Sequence, residues 1–166
     1  MKIKKIGVCG TDYHAFRGNQ PFFTYPRVLG HELGAEVVQL QSASNDLEIG
    51  DRVAVEPYLN CGRCQPCRNG KSNCCEQLKV LGVHVDGGMA NYLKVPVNKL
   101  HRSSVLSYDH LATIEFLGIG AHAVERSNIK KGDTVLVIGA GPIGLSVVQF
   151  AKLKGIKVVV MDFASL

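Results

Sequence analysis

The stretch Thr134-Val-Leu-Val-Ile-Gly-Ala-Gly-Pro-Ile-Gly144 decides how the C-terminal part of this chain is read. Thr134 to Ile138 is a continuous β-branched and aliphatic run, the composition of a strand buried on both faces. Gly139, Gly141 and Gly144 follow at Gly-x-Gly-x-x-Gly spacing, and Leu145 to Leu153 carries apolar residues at helical intervals. Gly155 ends that helix, and Lys157 to Met161 is a second apolar strand running into Asp162. The glycine spacing alone is a weak signal. Set between strand and helix, with an acidic residue directly after the second strand, it reads as a dinucleotide-binding turn. Gly139, Gly141, Pro142, Ile143 and Gly144 would form that turn, bringing backbone N–H groups close to a pyrophosphate at the helix N-terminus. Asp162 can accept hydrogen bonds from both adenosine-ribose hydroxyls and would repel a 2′-phosphate, which favours NAD over NADP.

Upstream lies a different grammar. Cys61, Cys64, Cys67 and Cys75 are spaced C-x2-C-x2-C-x7-C, among the turn-formers Gly62, Pro66, Asn69, Gly70 and Asn73. Four thiolates converging on one point make a closed tetrahedral zinc cage, which is structural because no coordination position stays open. A ferredoxin cluster needs its fourth cysteine after three residues and a following proline, and neither occurs. Cys74 competes for the fourth place at x6; Cys75 is taken as the ligand and Cys74 as a packed or partly exposed thiol. A second set of ligand-type residues, Cys9, His31, Glu32 and Glu115, is scattered and preceded by glycines, and could form an open metal site.

Composition narrows the class. The chain has 166 residues, 46% hydrophobic and 20% charged, with a net charge of +5 spread along its length. These values suit a globular protein. No basic stripe interleaved with aromatics points to nucleic acid. The longest apolar stretch, Val135 to Val148, is too short for a membrane span and is broken by glycines and a proline. Six cysteines without a secretory signal point to a reducing, cytoplasmic setting with thiolates on metal.

The first ~120 residues read as all-β with glycine turns. Ala35 to Leu40 is expected to be a strand, as is Arg52 to Glu56 after the Gly50-Asp51 turn, and the cysteine lobe loops out over residues 57–78. Val80 to Val85 and Met89 to Val95 are expected to pair across Asp86-Gly87-Gly88. From about Tyr108 the pattern turns helical.

Taken together the motifs resemble the zinc-containing medium-chain alcohol dehydrogenase superfamily, in its polyol (sorbitol-like), L-threonine and sugar dehydrogenase branch. The resemblance rests on Gly7-Val-Cys9-Gly-Thr11-Asp-Tyr-His14, Gly30-His31-Glu32-Leu-Gly34, Gly50-Asp51-Arg-Val53, the cysteine lobe, Gly82-Val-His84-Val-Asp-Gly87-Gly88 and the glycine turn at 139–144. They cover nearly the whole chain in the family's order. The resemblance implies an α/β protein with a β-rich part: a GroES-like catalytic domain over residues 1–117, followed over 118–166 by the start of a Rossmann domain. It implies two zinc ions, one structural and one catalytic, with Cys9 and His31 as catalytic ligands. Glu32 and Glu115 are both ligands or near-ligands, and which of the two holds the resting metal stays open. The family usually has proline after the glutamate at 115, where this chain has Phe116.

The same resemblance implies the reaction. A secondary alcohol of a polyol, sugar or hydroxy amino acid gives hydride to NAD, with zinc lowering the pKa of the hydroxyl. Thr11 would receive the hydroxyl proton and His14 would pass it towards solvent. Family chains are about twice as long, carry a strand pair ahead of the position of Cys9, and complete the nucleotide fold after the position of Asp162. This chain is therefore expected to be an internal fragment, whose exposed apolar edge favours association, and whose full-length form is a homo-oligomer. A zinc-binding module without turnover is the alternative reading.

Overall fold

The computed structural model of the chain describes residues 1–41 and 46–163. It divides into two compact units, Met1–Glu115 and Phe116–Leu166.

The first unit is built on an antiparallel sheet of β1 (Lys2–Gly7), β2 (Glu32–Glu36), β3 (Arg52–Val55) and β6 (Leu100–Arg102), in the order β1-β2-β3-β6. Leu33, Ala35, Val37, Leu47, Val53, Val55 and Leu81 form its buried core. Both faces of β2 are covered, because the helix α3 (Tyr108–Ala112) lies on the side away from that core. Gly34 makes this possible. A β-carbon there would collide with the Tyr108 carbonyl oxygen and lie 3.2 Å from the Ala112 nitrogen. Burying about 25 cal/mol per Å2 of apolar surface along β2 is what holds the helix to the sheet.

The expected strand over Ala35 to Leu40 sits earlier, at Glu32–Glu36, because the Gly50-Asp51 turn meets the chain at Val37 and closes the ladder there. The expected pairing of Val80 to Val85 with Met89 to Val95 does not occur. Instead β5 (Lys79–Val80) pairs with β4 (Tyr58–Leu59), and residues 81–85 curl into a turn. Residues 91–93 bond to the chain start, Ile3 N–H to the Asn91 carbonyl and Leu93 N–H to that of Met1. Nor is this unit all-β: α1 (Gly10–Phe16), the short α2 (Gln65–Arg68) and α3 interrupt it. Helix α4 (Ile114–Arg126) begins at its end, where the helical pattern was expected.

The second unit carries β7 (Thr134–Ile138), α5 (Pro142–Leu153) and β8 (Lys157–Met161), with β7 and β8 parallel from Thr134↔Lys157 to Ile138↔Met161. Val124 of α4, Ala151 of α5 and Ile156 form its core. Ser146 of α5 is fully buried where α4 passes closest, its hydroxyl donating to the Ile143 and Phe116 carbonyls. The strands are not buried on both faces as their composition suggested. Leu136, Ile138, Val159, Val160 and Met161 are exposed, since the two-stranded sheet is covered on one side only. No described helix is long and apolar enough to cross a membrane.

Candidate metal centres

Strand register creates the first centre. In the antiparallel pair β1–β2, Gly7 faces Glu32, so Cys9 just beyond β1 and His31 just before β2 come together at one end of the sheet. Cys9, His31 and Glu32 each place one ligand atom within 4.8 Å of the others. His31 and Glu32 are both buried, and Cys9 is half-buried.

Cys9 is also the N-cap of α1, in extended conformation, and Asp12 three residues on returns its carboxylate to the Cys9 N–H at 2.9 Å. The other oxygen of Asp12 accepts from Gly30 N–H at 3.2 Å and lies 3.8 Å from His31 Nδ1. One buried carboxylate thus joins the two ligand-bearing segments. Residues 87–89 brace the second of them, with Gly87, Gly88 and Met89 N–H donating to the carbonyls of Val28, Gly30 and Leu29. Sequence reasoning passed over Asp12, although a carboxylate at the third position of a helix is a recognisable capping signal.

Cys9 and His31 each favour the charged form of the other. A hydrogen bond from His31 pulls the Cys9 thiol below its ordinary pKa against the opposing effect of burial. Burial would lower the His31 pKa, but Cys9, Asp12 and Glu115 outweigh it and raise the net value. Burial, with help from Glu115 and Asp12, pushes Glu32 up against the pull of His31. A thiol, an imidazole and a carboxylate converging at one end of the sheet fit a divalent zinc with three protein ligands and an open position. Among the described residues, His31 Nδ1 is buried without a hydrogen-bond partner.

Glu115 stands apart from that trio. It lies in the first turn of α4, and its Oε1 accepts a 2.5 Å hydrogen bond from the phenol of Tyr58 on β4. Its charge is nonetheless felt at both His31 and Glu32. Tyr58 carried no sequence signal, because only the pairing of β4 with β5 and the start of α4 bring it to Glu115. Thr11 is half-buried in the first turn of α1 and hydrogen-bonds Cys9; His14 is exposed in the last turn. His84 is drawn into the turn after β5, where its Nδ1 accepts from Val80 N–H.

The second centre gathers Cys61, Cys64, Cys67 and Cys75, their sulfurs all within 4.8 Å of one another. Cys74 is exposed and outside the group. Backbone N–H groups of Arg63 and Cys64 lower the Cys61 thiol to about 6, whereas burial and Cys64 lift Cys67 to about 11. Cys75, the buried member, accepts from the N–H groups of Cys61 at 3.2 Å and Gln77 at 3.4 Å. Converging N–H donors around four sulfurs suit thiolates on a closed metal.

In the second unit the glycine turn joins β7 to α5, with Gly141 as N-cap and Pro142 at the first turn. A β-carbon on Gly144 would strike the Gly139 carbonyl, so only glycine lets the helix start this close to the strand. Ile143 is exposed on the same turn. The Asp162 carboxylate accepts from Ala140 N–H at 2.6 Å, spanning from the end of β8 to the turn.

Comparison with known proteins agrees with this layout. The alcohol dehydrogenase GroES-like domain matches residues 1–105. L-galactonate-5-dehydrogenase of Escherichia coli K12 is 51% identical over 162 residues, covering 98% of this chain and 48% of that protein. A crystal structure of an Escherichia coli CFT073 protein, described as a short chain alcohol dehydrogenase and complexed with NADH, superposes with TM-score 0.91 at 40% identity, covering 99% of this chain and 49% of its own. A candidate zinc-binding dehydrogenase from Sinorhizobium meliloti 1021, bound to NADP, gives 0.88 at 40% identity, with 96% and 47% covered. The chain spans about half the length of the curated relatives it matches. With a GroES-like unit, a four-thiol group, a separate trio of Cys9, His31 and Glu32 and the opening of a nucleotide fold, the chain belongs to the alcohol dehydrogenase GroES-like family, among the zinc-type alcohol and polyol dehydrogenases.

Proposed function

We propose that this chain carries the metal-binding half of a zinc-dependent oxidoreductase that moves hydride from a secondary alcohol of a polyol, sugar or hydroxy amino acid to NAD. The observation that carries the reading is the coexistence of a closed four-thiol group and a separate, open trio of Cys9, His31 and Glu32. The similarity to a protein named for L-galactonate favours a sugar-acid or polyol substrate over a simple primary alcohol.

In this reading Cys9, His31 and Glu32 hold one zinc, and Cys61, Cys64, Cys67 and Cys75 hold another. When bound at the open trio, zinc supplies Lewis acidity that lowers the pKa of a substrate hydroxyl. Thr11, beside Cys9 on the first turn of α1, relays the hydroxyl proton, its oxygen accepting that proton as it gives up its own. His14, one turn further and exposed, hands it to solvent. Asp12 keeps Cys9 and the His31 loop in register throughout. The turn from Gly139 to Gly144 receives the pyrophosphate of the dinucleotide, and Asp162 exchanges its bond to Ala140 for ribose hydroxyls. A 2′-phosphate would meet the Asp162 charge, which is why NAD is proposed although one similar structure holds NADP.

Elemental analysis and turnover test this together. Two zincs per chain, one lost in Cys9→Ala, with reduction of NAD by a polyol or sugar acid in the protein containing this chain, is the expected result. Two zincs without any alcohol-dependent NAD reduction would support a zinc-binding module instead.

A further inference from the structure

The contact between Tyr58 and Glu115 has no part in the reading above. Tyr58 is fixed by the pairing of β4 with β5, where it faces Val80, and its phenol is half-buried. It donates to Glu115 Oε1 at 2.5 Å. Glu115 is close enough for its charge to act on His31 and Glu32, yet its oxygens are not among the ligand atoms that converge within 4.8 Å. The Tyr58 bond is the contact that holds the Glu115 carboxylate away from those ligand atoms.

We propose that Tyr58 is a positioning residue that holds the Glu115 carboxylate outside the Cys9–His31–Glu32 trio, so that a bound metal keeps a position open. The proposal rests on the reading of that trio as a metal site. Moving Glu115 inward breaks the Tyr58 bond and leaves a half-buried phenol without its acceptor, and that penalty keeps the carboxylate out. Tyr58→Phe removes the restraint while keeping the ring. Glu115 then becomes an added ligand and closes the site.

The test is cobalt substitution of the purified chain, read by the Cys9-dependent part of the visible spectrum and by the rate at which 1,10-phenanthroline removes that metal. In Tyr58→Phe the spectrum shifts and release slows by roughly tenfold, the least that loss of a hydrogen bond to a charged group implies. The double variant Tyr58→Phe/Glu115→Gln matches Glu115→Gln alone in both readouts, since no carboxylate is left to enter the site. Glu115→Gln alone lacks the spectral shift of Tyr58→Phe, and its release rate changes only through the charge it removes near His31 and Glu32. If Glu115→Gln alone lowers the coordination number read from the cobalt spectrum, Glu115 is already a ligand and the proposal is overturned, whether or not Tyr58→Phe folds. A Cys9-dependent spectrum that Tyr58→Phe does not change overturns the restraint but leaves the metal reading intact. Metal content unaffected by Cys9→Ala overturns both.

Discussion

Asp12 and His31 lie with Oδ1 and Nδ1 3.8 Å apart, while the same Asp12 carboxylate takes hydrogen bonds from the backbones of Cys9 and Gly30. Asp12 is 3% exposed, so its removal leaves two N–H donors in a place where water does not readily replace it. Asp12→Ala is expected to cost about 1–3 kcal/mol of stability for unsatisfied buried donors. It should also weaken metal at the Cys9 trio by about 10- to 100-fold, as removal of a group that orients ligands does. Urea unfolding and chelator competition measure the two effects. Asp12→Asn keeps one acceptor oxygen and should recover much of the stability but less of the affinity.

Cys75 and Cys74 are neighbours in sequence but not in environment. Cys75→Ser is expected to lower the zinc content of the chain from two to one and to loosen residues 57–78, while Cys74→Ser leaves the content at two. Elemental analysis of the two variants checks this. Equal loss from both would mean that Cys74 shares the site.

The thiols of the cysteine lobe should react in a fixed order once metal is stripped. Backbone N–H groups lower the Cys61 thiol, whereas burial raises that of Cys67, so Cys61 is the first of the two to form a thiolate. Because the thiolate is the nucleophile, alkylation of Cys61 by iodoacetamide should set in at lower pH than that of Cys67. Peptide mass spectrometry over a pH series separates them. Equal rates at pH 7 would contradict the N–H groups of Arg63 and Cys64 as the cause.

Gly34→Ala tests the packing of α3 on β2. The new methyl group meets backbone atoms of Tyr108 and Ala112, which cannot rotate away as a side chain would. A loss of about 1–3 kcal/mol is expected, as for other overpacked sites. Since β2 begins at Glu32, reduced metal retention at the Cys9 trio should accompany it. Gly50→Ala, with nothing within 4 Å of the added carbon but a φ of +98°, should be destabilised by backbone strain alone and leave that metal in place.

Much of the molecule was legible in the sequence because its chemistry is local. The glycine turn from Gly139 to Gly144 follows from residues that are consecutive in the chain, and β7, α5 and β8 lie where their patterns put them. The cysteine lobe is similar, since turn-formers between Cys61 and Cys75 let a short loop close on itself. Where partners are distant, the pattern misled. Met89 to Val95 has strand composition, but its hydrogen bonds go to the chain start, a partner that no periodicity in the segment reveals. The helix α1 was hidden because Cys9 is not a usual cap, so Asp12 went unread.

The sequence by itself determined which donor types exist and that they form two sets, because residue identity fixes charge, softness and hydrogen-bonding capacity. Only the tertiary structure decided which donors meet. The Gly7↔Glu32 register carries Cys9 to His31 and Glu32, and a shift of one residue would turn those side chains to the other face. The pairing of β4 with β5 and the start of α4 leave Glu115 with Tyr58 and outside that trio. Long-range strand register is a property of two segments at once. Neither segment's composition contains it.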